Sequence, residues 1–344
     1  MTASTERHSR QVRFAPIGEE GQRRLAAARV TLVGAGALGS VLANVLVRAG
    51  VGYLRLIDRD FLDLSNLQRQ VLYDEADVAS GLPKAIVAAN KLRAIDSSVS
   101  IDPHVKDVDA TNVEAFVEGA DLILDGTDNF EIRYLLNDVA VKRGVPWVFA
   151  GCLGASGQGM VVRPGQTPCL RCVLPDPPEA GAGETCDSAG ILATAIQFVA
   201  AWQANEALKI LSGNAAACSP DLFTFDLWDS RVHSMRVAHL LGQTDCPCCQ
   251  RRQFDWLAGE RTSHAAVLCG RNAVQLNFAG RSNLSLADLA ARLAPLGEVR
   301  SNPYLLRFTV SERTLTLFPD GRAIVQGTED PAEARTMYAR YVGA

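Results

Sequence analysis

The chain of 344 residues is 48% hydrophobic and 21% charged, with 34 Lys and Arg against 38 Asp and Glu and a net charge of −4. Such a balance belongs to a soluble globular protein with room for one large α/β domain and a smaller one. It excludes a nucleic-acid binder built on a basic stripe: even in residues 251–344, where 12 arginines face 9 acids, no dense cationic run forms.

The N-terminal MTASTERHSRQ is polar and basic without an apolar core, so no secretory signal is expected. The most apolar stretch, Gly190 to Trp202, is interrupted by Gln197 and too short to cross a bilayer, so no membrane partner is expected either. Nine cysteines in such a chain point to metal binding and thiol chemistry in the cytoplasm rather than to disulfides.

From residue 29 onward, strand-like and helix-like segments alternate. Strands are expected at Arg29–Val33, Tyr53–Ile57, Val99–Val105, Asp121–Leu124 and Val145–Phe149, and helices at Leu38–Ala49, 84–95, 111–118 and 130–143. That rhythm predicts an α/β, Rossmann-like, mostly parallel sheet with helices on both faces. After Gly151 the rhythm changes. Gln158–Arg163, Leu222–Asp226 and Val232–Val237 read as antiparallel strands extending the sheet, interrupted by a helix over Ala189–Leu211 that Ser188 would cap and Gly213 would end. Residues 1–250 are expected as one domain and the polar segment 251–264 as a linker. Residues 265–344 are expected as a small C-terminal α+β module. Its strands fall near 266–269, 273–278, 298–300, 304–309, 313–318 and 322–326, with helices near 285–294 and 331–342. Asp320-Gly321 is a hairpin signal, and Asp330-Pro331-Ala332-Glu333 marks a helix start.

The turn Gly34-Ala35-Gly36-Ala37-Leu38-Gly39 joins a strand to a helix. Gly34 permits the tight turn, Gly36 lets the backbone approach a phosphate or ribose, and Gly39 lets helix and strand pack closely. Asp58, at the end of the next strand, stands where a carboxylate holds ribose hydroxyls. By itself this pattern fits any adenine nucleotide. Two Cys-x-x-Cys pairs, Cys169/Cys172 and Cys246/Cys249, carry a second signal: four thiolates in two knuckles with Pro168 and Pro247 fit a closed tetrahedral zinc site. Cys248 lies outside that ligand set, and Cys152 and Cys218, among apolar or small neighbours, read as core cysteines.

The stretch from Asp58 through Arg59, Asp60, Asn66 and Arg69 to Gln70 moves the reading from a nicotinamide to ATP. Arg10-Gln11, Lys84 and Thr127-Asp128-Asn129 strengthen it. A departing pyrophosphate develops negative charge that fixed cations stabilise, and Mg2+ requires a carboxylate such as Asp128. SNLQRQ together with GAGALG, TDN and the Cys pairs resembles the ThiF/MoeB/HesA family of adenylating enzymes, bacterial relatives of ubiquitin-activating enzymes, over roughly residues 5–250.

The resemblance implies that Gly36 and Asp58 hold the adenosine, that Asn66, Arg69 and Lys84 contact the phosphates, and that Asp128 binds magnesium. Gly34, Gly39, Asp60, Gln70 and Asn129 complete the implied nucleotide site. It implies a homodimer in which Arg10 reaches the neighbouring subunit's site. The partner would be a small β-grasp sulfur-carrier or ubiquitin-like protein ending in Gly-Gly, whose carboxylate becomes an acyl-adenylate. Ala37 departs from the family pattern, standing where many relatives carry a third glycine. Cys186 precedes the long helix in a Pro/Gly-rich segment; a thiol at a helix N-terminus gains thiolate character. The resemblance places there the cysteine that takes the carrier covalently, against a plain helix-capping role. Cys269 reads as the end of a buried strand rather than as a rhodanese nucleophile. Two alternatives stay open: a NAD- or FAD-dependent oxidoreductase with structural zinc, and a non-catalytic scaffold that docks carriers.

Overall fold

The computed structural model describes residues 6–177, 189–243, 245–261, 265–268, 272–276, 284–319 and 321–343. Cys186, Ser188, Cys269 and Asp320 lie outside the described residues. The chain divides into two compact units, one ending at Arg261 and one holding the strands and helices beyond it.

The first unit is built on an eight-stranded sheet in the order β3-β2-β1-β4-β5-β6-β7-β8. Its parallel strands are β1 (Arg29–Val33), β2 (Tyr53–Ile57), β3 (Ser100–His104), β4 (Leu122–Asp125) and β5 (Trp147–Leu153). The antiparallel extension is β6 (Ser156–Val162), β7 (Leu222–Asp226) and β8 (Arg231–Met235). A strand alternates its side chains between faces, so one strand feeds two cores. Leu122 and Leu124 pack with the helices Ala37–Ala49, Lys84–Ile95 and Ala193–Leu211, while Ile123 packs with the helices Val113–Val117 and Phe130–Arg143 on the opposite face. Each such fully buried Leu or Ile contributes about 1.5–3 kcal/mol of apolar burial.

The parallel core and the antiparallel extension follow the sequence expectation. Several boundaries differ for local reasons. The long helix begins at Ala193 rather than Ala189, because Gly190 adopts φ +73° and Ile191 bridges to Gly154. β5 runs four residues beyond Phe149 because it forms a hairpin with β6, pairing Trp147 with Val162 through to Leu153 with Ser156. The helices Ser9–Val12 and Gly18–Ala27 lie in a region read only as polar. There Gln11 and Gln22 both donate to the Ala49 carbonyl, at 2.9 and 3.0 Å.

Residues 251–261, expected within a linker, instead fold onto the first unit. Trp256 is buried in the same cluster as Tyr134, and the Asp138 carboxylate accepts from the amides of Trp256 and Leu257 at 3.1 and 3.4 Å. The charged and polar residues around Phe254 and Trp256 hid that anchor.

The second unit is a six-stranded antiparallel sheet, ordered β11-β12-β13-β14-β10-β9. Its strands are β9 (Ala265–Leu268), β10 (Ala273–Leu276), β11 (Glu298–Asn302), β12 (Leu305–Val310), β13 (Arg313–Leu317) and β14 (Ala323–Gln326), with helices Leu286–Leu293 and Pro331–Tyr341. Leu289, Leu293, Met337 and Tyr338 of these helices share a core with Leu306, Phe308, Leu315 and Val325 of the sheet. Ser285 and Asp330 cap the two helices, accepting from Asp288 N and Ala332 N.

Candidate active site

The order of the parallel strands reverses at β1, which lies between β2 and β4, and ligands of open α/β sheets bind at the carboxyl ends of strands at such a point. Three glycines close the floor there. A Cβ on Gly39 would lie 1.9 Å from the Gly34 carbonyl oxygen, and one on Gly126 would lie 2.8 Å from that same oxygen and 2.9 Å from Gly39 Cα. Gly34 itself adopts φ +93°. Gly36 is different. A Cβ added there would meet only Gln70 Nε2, at 3.8 Å, so the turn faces open space beside the N-terminus of the helix Ala37–Ala49. Ala37 is the first residue of that helix, so its methyl group carries no backbone strain.

Asp58 is held rigidly. Its Oδ2 accepts from Ala35 N at 2.7 Å and its Oδ1 from Asp60 N at 2.6 Å. Burial raises its pKa, opposed chiefly by the charge of Lys84. Lys84 is 2% exposed, its Nζ lies 3.4 Å from Asp60 Oδ2, and its amide donates to the Asp60 carbonyl at 2.9 Å. Tyr73 closes the space between the two loops, its hydroxyl donating to Ala35 O at 2.7 Å. Arg59 is committed elsewhere, 2.7 Å from Asp107 Oδ2.

The SNLQRQ segment forms a short helical turn, Leu64–Asn66, in which buried Asn66 accepts from Asp63 N at 3.1 Å. Arg69 is half-buried and donates to Ser65 O at 2.9 Å. Gln70 is buried, and its Oε1 has no hydrogen-bond donor among the described residues. A buried acceptor beside the open turn calls for a donor that the described residues do not supply.

On the other side of the switch point, Asp128 is exposed and its carboxylate has no side-chain partner among the described residues. Asn129 has another task. Its Oδ1 caps the helix Phe130–Arg143 by accepting from Glu131 N at 2.8 Å and Ile132 N at 3.4 Å. Asp128 is therefore left without a partner among the described residues, and Asn129 sets the helix start beside it. The sequence reading missed the support beneath: Asp125, wholly buried, accepts from Thr127 N, Thr127 Oγ1 and Arg133 Nε at 2.8, 2.7 and 3.1 Å. An acid ending a strand three residues before the TDN Asp was the available signal.

Arg10 is exposed on the helix Ser9–Val12, and no hydrogen bond or ion pair among the described residues joins it to the cleft.

The four cysteines converge beside the core cluster that holds the helix Phe130–Arg143. Cys169, Cys172, Cys246 and Cys249 place their sulfurs within 4.8 Å of one another, with separations of 3.9 Å (169–172), 3.6 Å (169–246) and 3.3 Å (172–249). Zinc–sulfur bonds of about 2.3 Å in a tetrahedron require sulfurs about 3.8 Å apart, so the set fits Zn2+. Cys248 stays outside the cluster and accepts from Asn137 Nδ2 at 3.2 Å. The same Asn137 accepts from Leu170 N at 2.9 Å, so one side chain fastens both knuckles. Burial and the nearby Glu206 push the Cys218 thiol up to about 12, as suits an inert core cysteine.

The ThiF family model matches residues 8–248. The chain belongs to the ThiF family. Over 340 residues, 98% of this chain and 100% of the relative, it is 45% identical to a sulfur carrier protein ThiS adenylyltransferase of Bacillus subtilis. A SAMP-activating enzyme E1 of Haloferax volcanii is 38% identical over 71% of this chain and 88% of its own length. A sulfur carrier protein adenylyltransferase of Thermus thermophilus is 36% identical over 74% of this chain and 95% of its own. Among solved structures, Escherichia coli MccB aligns with TM-score 0.61 over 71% of this chain and 74% of its own at 23% identity, a likeness of fold.

Proposed function

We propose that this ThiF-family chain is an ATP-dependent adenylyltransferase that activates the C-terminal Gly-Gly carboxylate of a small sulfur carrier of the ThiS type. The observation that carries the reading is the convergence at one switch point of an open Gly36, a fixed Asp58, a buried Lys84, and a Gln70 Oε1 and an Asp128 carboxylate without partners among the described residues. The choice of carrier rests on coverage. The match to the ThiS adenylyltransferase extends through residues 265–344, whereas the archaeal and Thermus relatives match 71% and 74% of the chain.

The chemistry follows from charge. A carboxylate is a poor electrophile, because its leaving group would be oxide. Attack of a carboxylate oxygen on the α-phosphorus of ATP forms a carbon-bound O–P bond and breaks the bond to the β-phosphate oxygen. Pyrophosphate departs, and AMP becomes the carboxyl's leaving group. Asp58, fixed by two amides, orients the ribose. The amides at the start of the helix Ala37–Ala49 face the phosphates, as does Gln70. Lys84, Arg69 and Asn66 hold the charge that grows on the departing pyrophosphate. Mg2+, when bound, supplies further charge neutralisation there, with Asp128 as its ligand. Tyr73 and the buried flank of Lys84 keep water from that side.

The reading also includes a homodimer, with Arg10 reaching the neighbouring site, and Cys186 as the thiol that takes the activated carrier. No helix of the described residues is long and apolar enough to cross a membrane, in keeping with a soluble carrier as substrate. ATP–pyrophosphate exchange tests the proposal. Exchange should require a ThiS-type carrier and vanish when its terminal Gly-Gly is deleted. Exchange without any carrier, or none with one, contradicts it.

A further inference from the structure

We propose that Arg133 and Asp125 are positioning residues that hold the Asp128 carboxylate at the metal–nucleotide site, an inference resting on the reading of Asp128 as the magnesium ligand. Arg133 is 5% exposed and cannot itself lie against a phosphate on the open side of the cleft. What it touches is the backbone. Its Nη2 donates to Thr127 O at 3.2 Å and to Ala150 O at 3.4 Å, and its Nε donates to Asp125 Oδ2 at 3.1 Å. Asp125 in turn accepts the Thr127 amide and hydroxyl. Thr127 is thus held at its N–H by the acid and at its C=O by the base, so the peptide entering Asp128 has a fixed plane.

The residue after Asp128 is held as well. Asn129 caps the next helix with its side chain, and its carbonyl accepts from Arg133 N at 3.2 Å. Between these two held residues, Thr127 and Asn129, stands one exposed carboxylate without a partner among the described residues.

Two further observations show that the site is built around the guanidinium. A Cβ on Gly151 would lie 3.1 and 3.2 Å from Arg133 Nη1 and Nη2, so glycine in β5 leaves its room. Gln203 Nε2 donates to both Asp125 O and Val148 O at 2.8 Å, locking the end of β4 to β5. A buried ion pair is a weak source of stability, since desolvating both charges offsets their attraction. Its retention directly beneath Asp128 points to geometry as its use. The planar fork of Arg reaches two carbonyls and a carboxylate at once, which Lys cannot do.

The test measures metal affinity directly. Mn2+, standing in for Mg2+, is titrated onto the full-length protein saturated with a non-hydrolysable ATP analogue, with free Mn2+ read by electron paramagnetic resonance. Arg133→Lys should weaken Mn2+ binding roughly 10- to 100-fold, as loss of an outer-shell support does, while analogue binding without metal stays unchanged. Thr127→Val leaves the ion pair intact and should shift affinity in the same direction by less, which keeps the test open if Arg133→Lys does not fold. Asp128→Asn runs beside them. If Asp128→Asn abolishes Mn2+ binding while both supporting variants bind as wild type, the positioning role is overturned and the Asp128 reading stands. If Asp128→Asn binds Mn2+ normally, both are overturned.

Discussion

Lys84 Nζ lies 3.4 Å from Asp60 Oδ2 in a site where the lysine is 2% exposed, and Lys84 is also the first residue of the helix Lys84–Ile95. Both circumstances oppose a cation. Burial removes its hydration, and the N-terminus of a helix presents positive charge. Asp60 and Asp58 offset part of those costs, and under the proposed function a polyphosphate would supply the remaining negative charge. Lys84→Met, which keeps the apolar stem, should lower the exchange rate about 100- to 1,000-fold, the cost of losing one transition-state charge contact. The unfolding temperature should fall as well, since buried Asp58 loses the charge that opposes its desolvation, so exchange is compared at a temperature where both proteins are folded.

Gly39 and Gly36 separate folding from binding within one turn. Gly39→Ala would force a methyl carbon to 1.9 Å from the Gly34 oxygen, so the strand and helix must part, at a cost of about 1–3 kcal/mol or more. Gly36→Ala meets nothing nearer than 3.8 Å and should leave the unfolding temperature near wild type while weakening ATP binding. Calorimetric unfolding and nucleotide titration of the two variants should therefore give opposite patterns.

The zinc cluster yields a stoichiometric prediction. Cys172→Ser should lose the metal, read as the zinc released to a colorimetric chelator, where wild type holds about one ion per chain. Cys248→Ala should retain it, because Cys248 serves Asn137 rather than the ion. It should nevertheless cost about 1–3 kcal/mol, since the buried Asn137 amide loses its acceptor. Loss of metal in Cys248→Ala would show that the fifth thiol is a ligand.

Acid stability depends in part on the sheet edge. Burial works against ionisation of Asp102, yet the Tyr53 hydroxyl, His104 and the Arg55 guanidinium bring its pKa down to about 2. The folded value lies below the unfolded one of about 3.9, so the stabilisation is present above about pH 4 and is lost as pH falls toward 2. With its side chain 36% exposed, solvent screening reduces the full linkage value to about 1 kcal/mol. Asp102→Asn should flatten the stability–pH curve between those limits, as followed by urea unfolding.

Much of this was legible in the sequence because it depends on local rules. The Gly turn between Val33 and Leu38, the alternation that places β1 to β5, and the helix Phe130–Arg143 follow from periodicity and backbone freedom. The paired cysteines were legible because ligand spacing is itself local. What stayed hidden depends on tertiary partners. Gly126 has no motif of its own and matters only because Gly34 and Gly39 pack against it. Arg133 reads as a helix-surface charge until β4 and β5 bury it, and Asn129 sits in a ligand motif yet serves as a cap. Trp256, with Phe254 and Leu257 beside it, draws residues 251–261 onto the first unit.

The most direct measurement is the intact mass of a ThiS-type carrier after incubation with this protein, ATP and Mg2+, quenched before hydrolysis. The carrier should gain the mass of an adenylyl group, with the label of [α-32P]ATP retained on it and none when its terminal glycines are removed. A carrier of unchanged mass, alongside protein shown to bind ATP in the cleft of Lys84 and Asp128, would contradict the account.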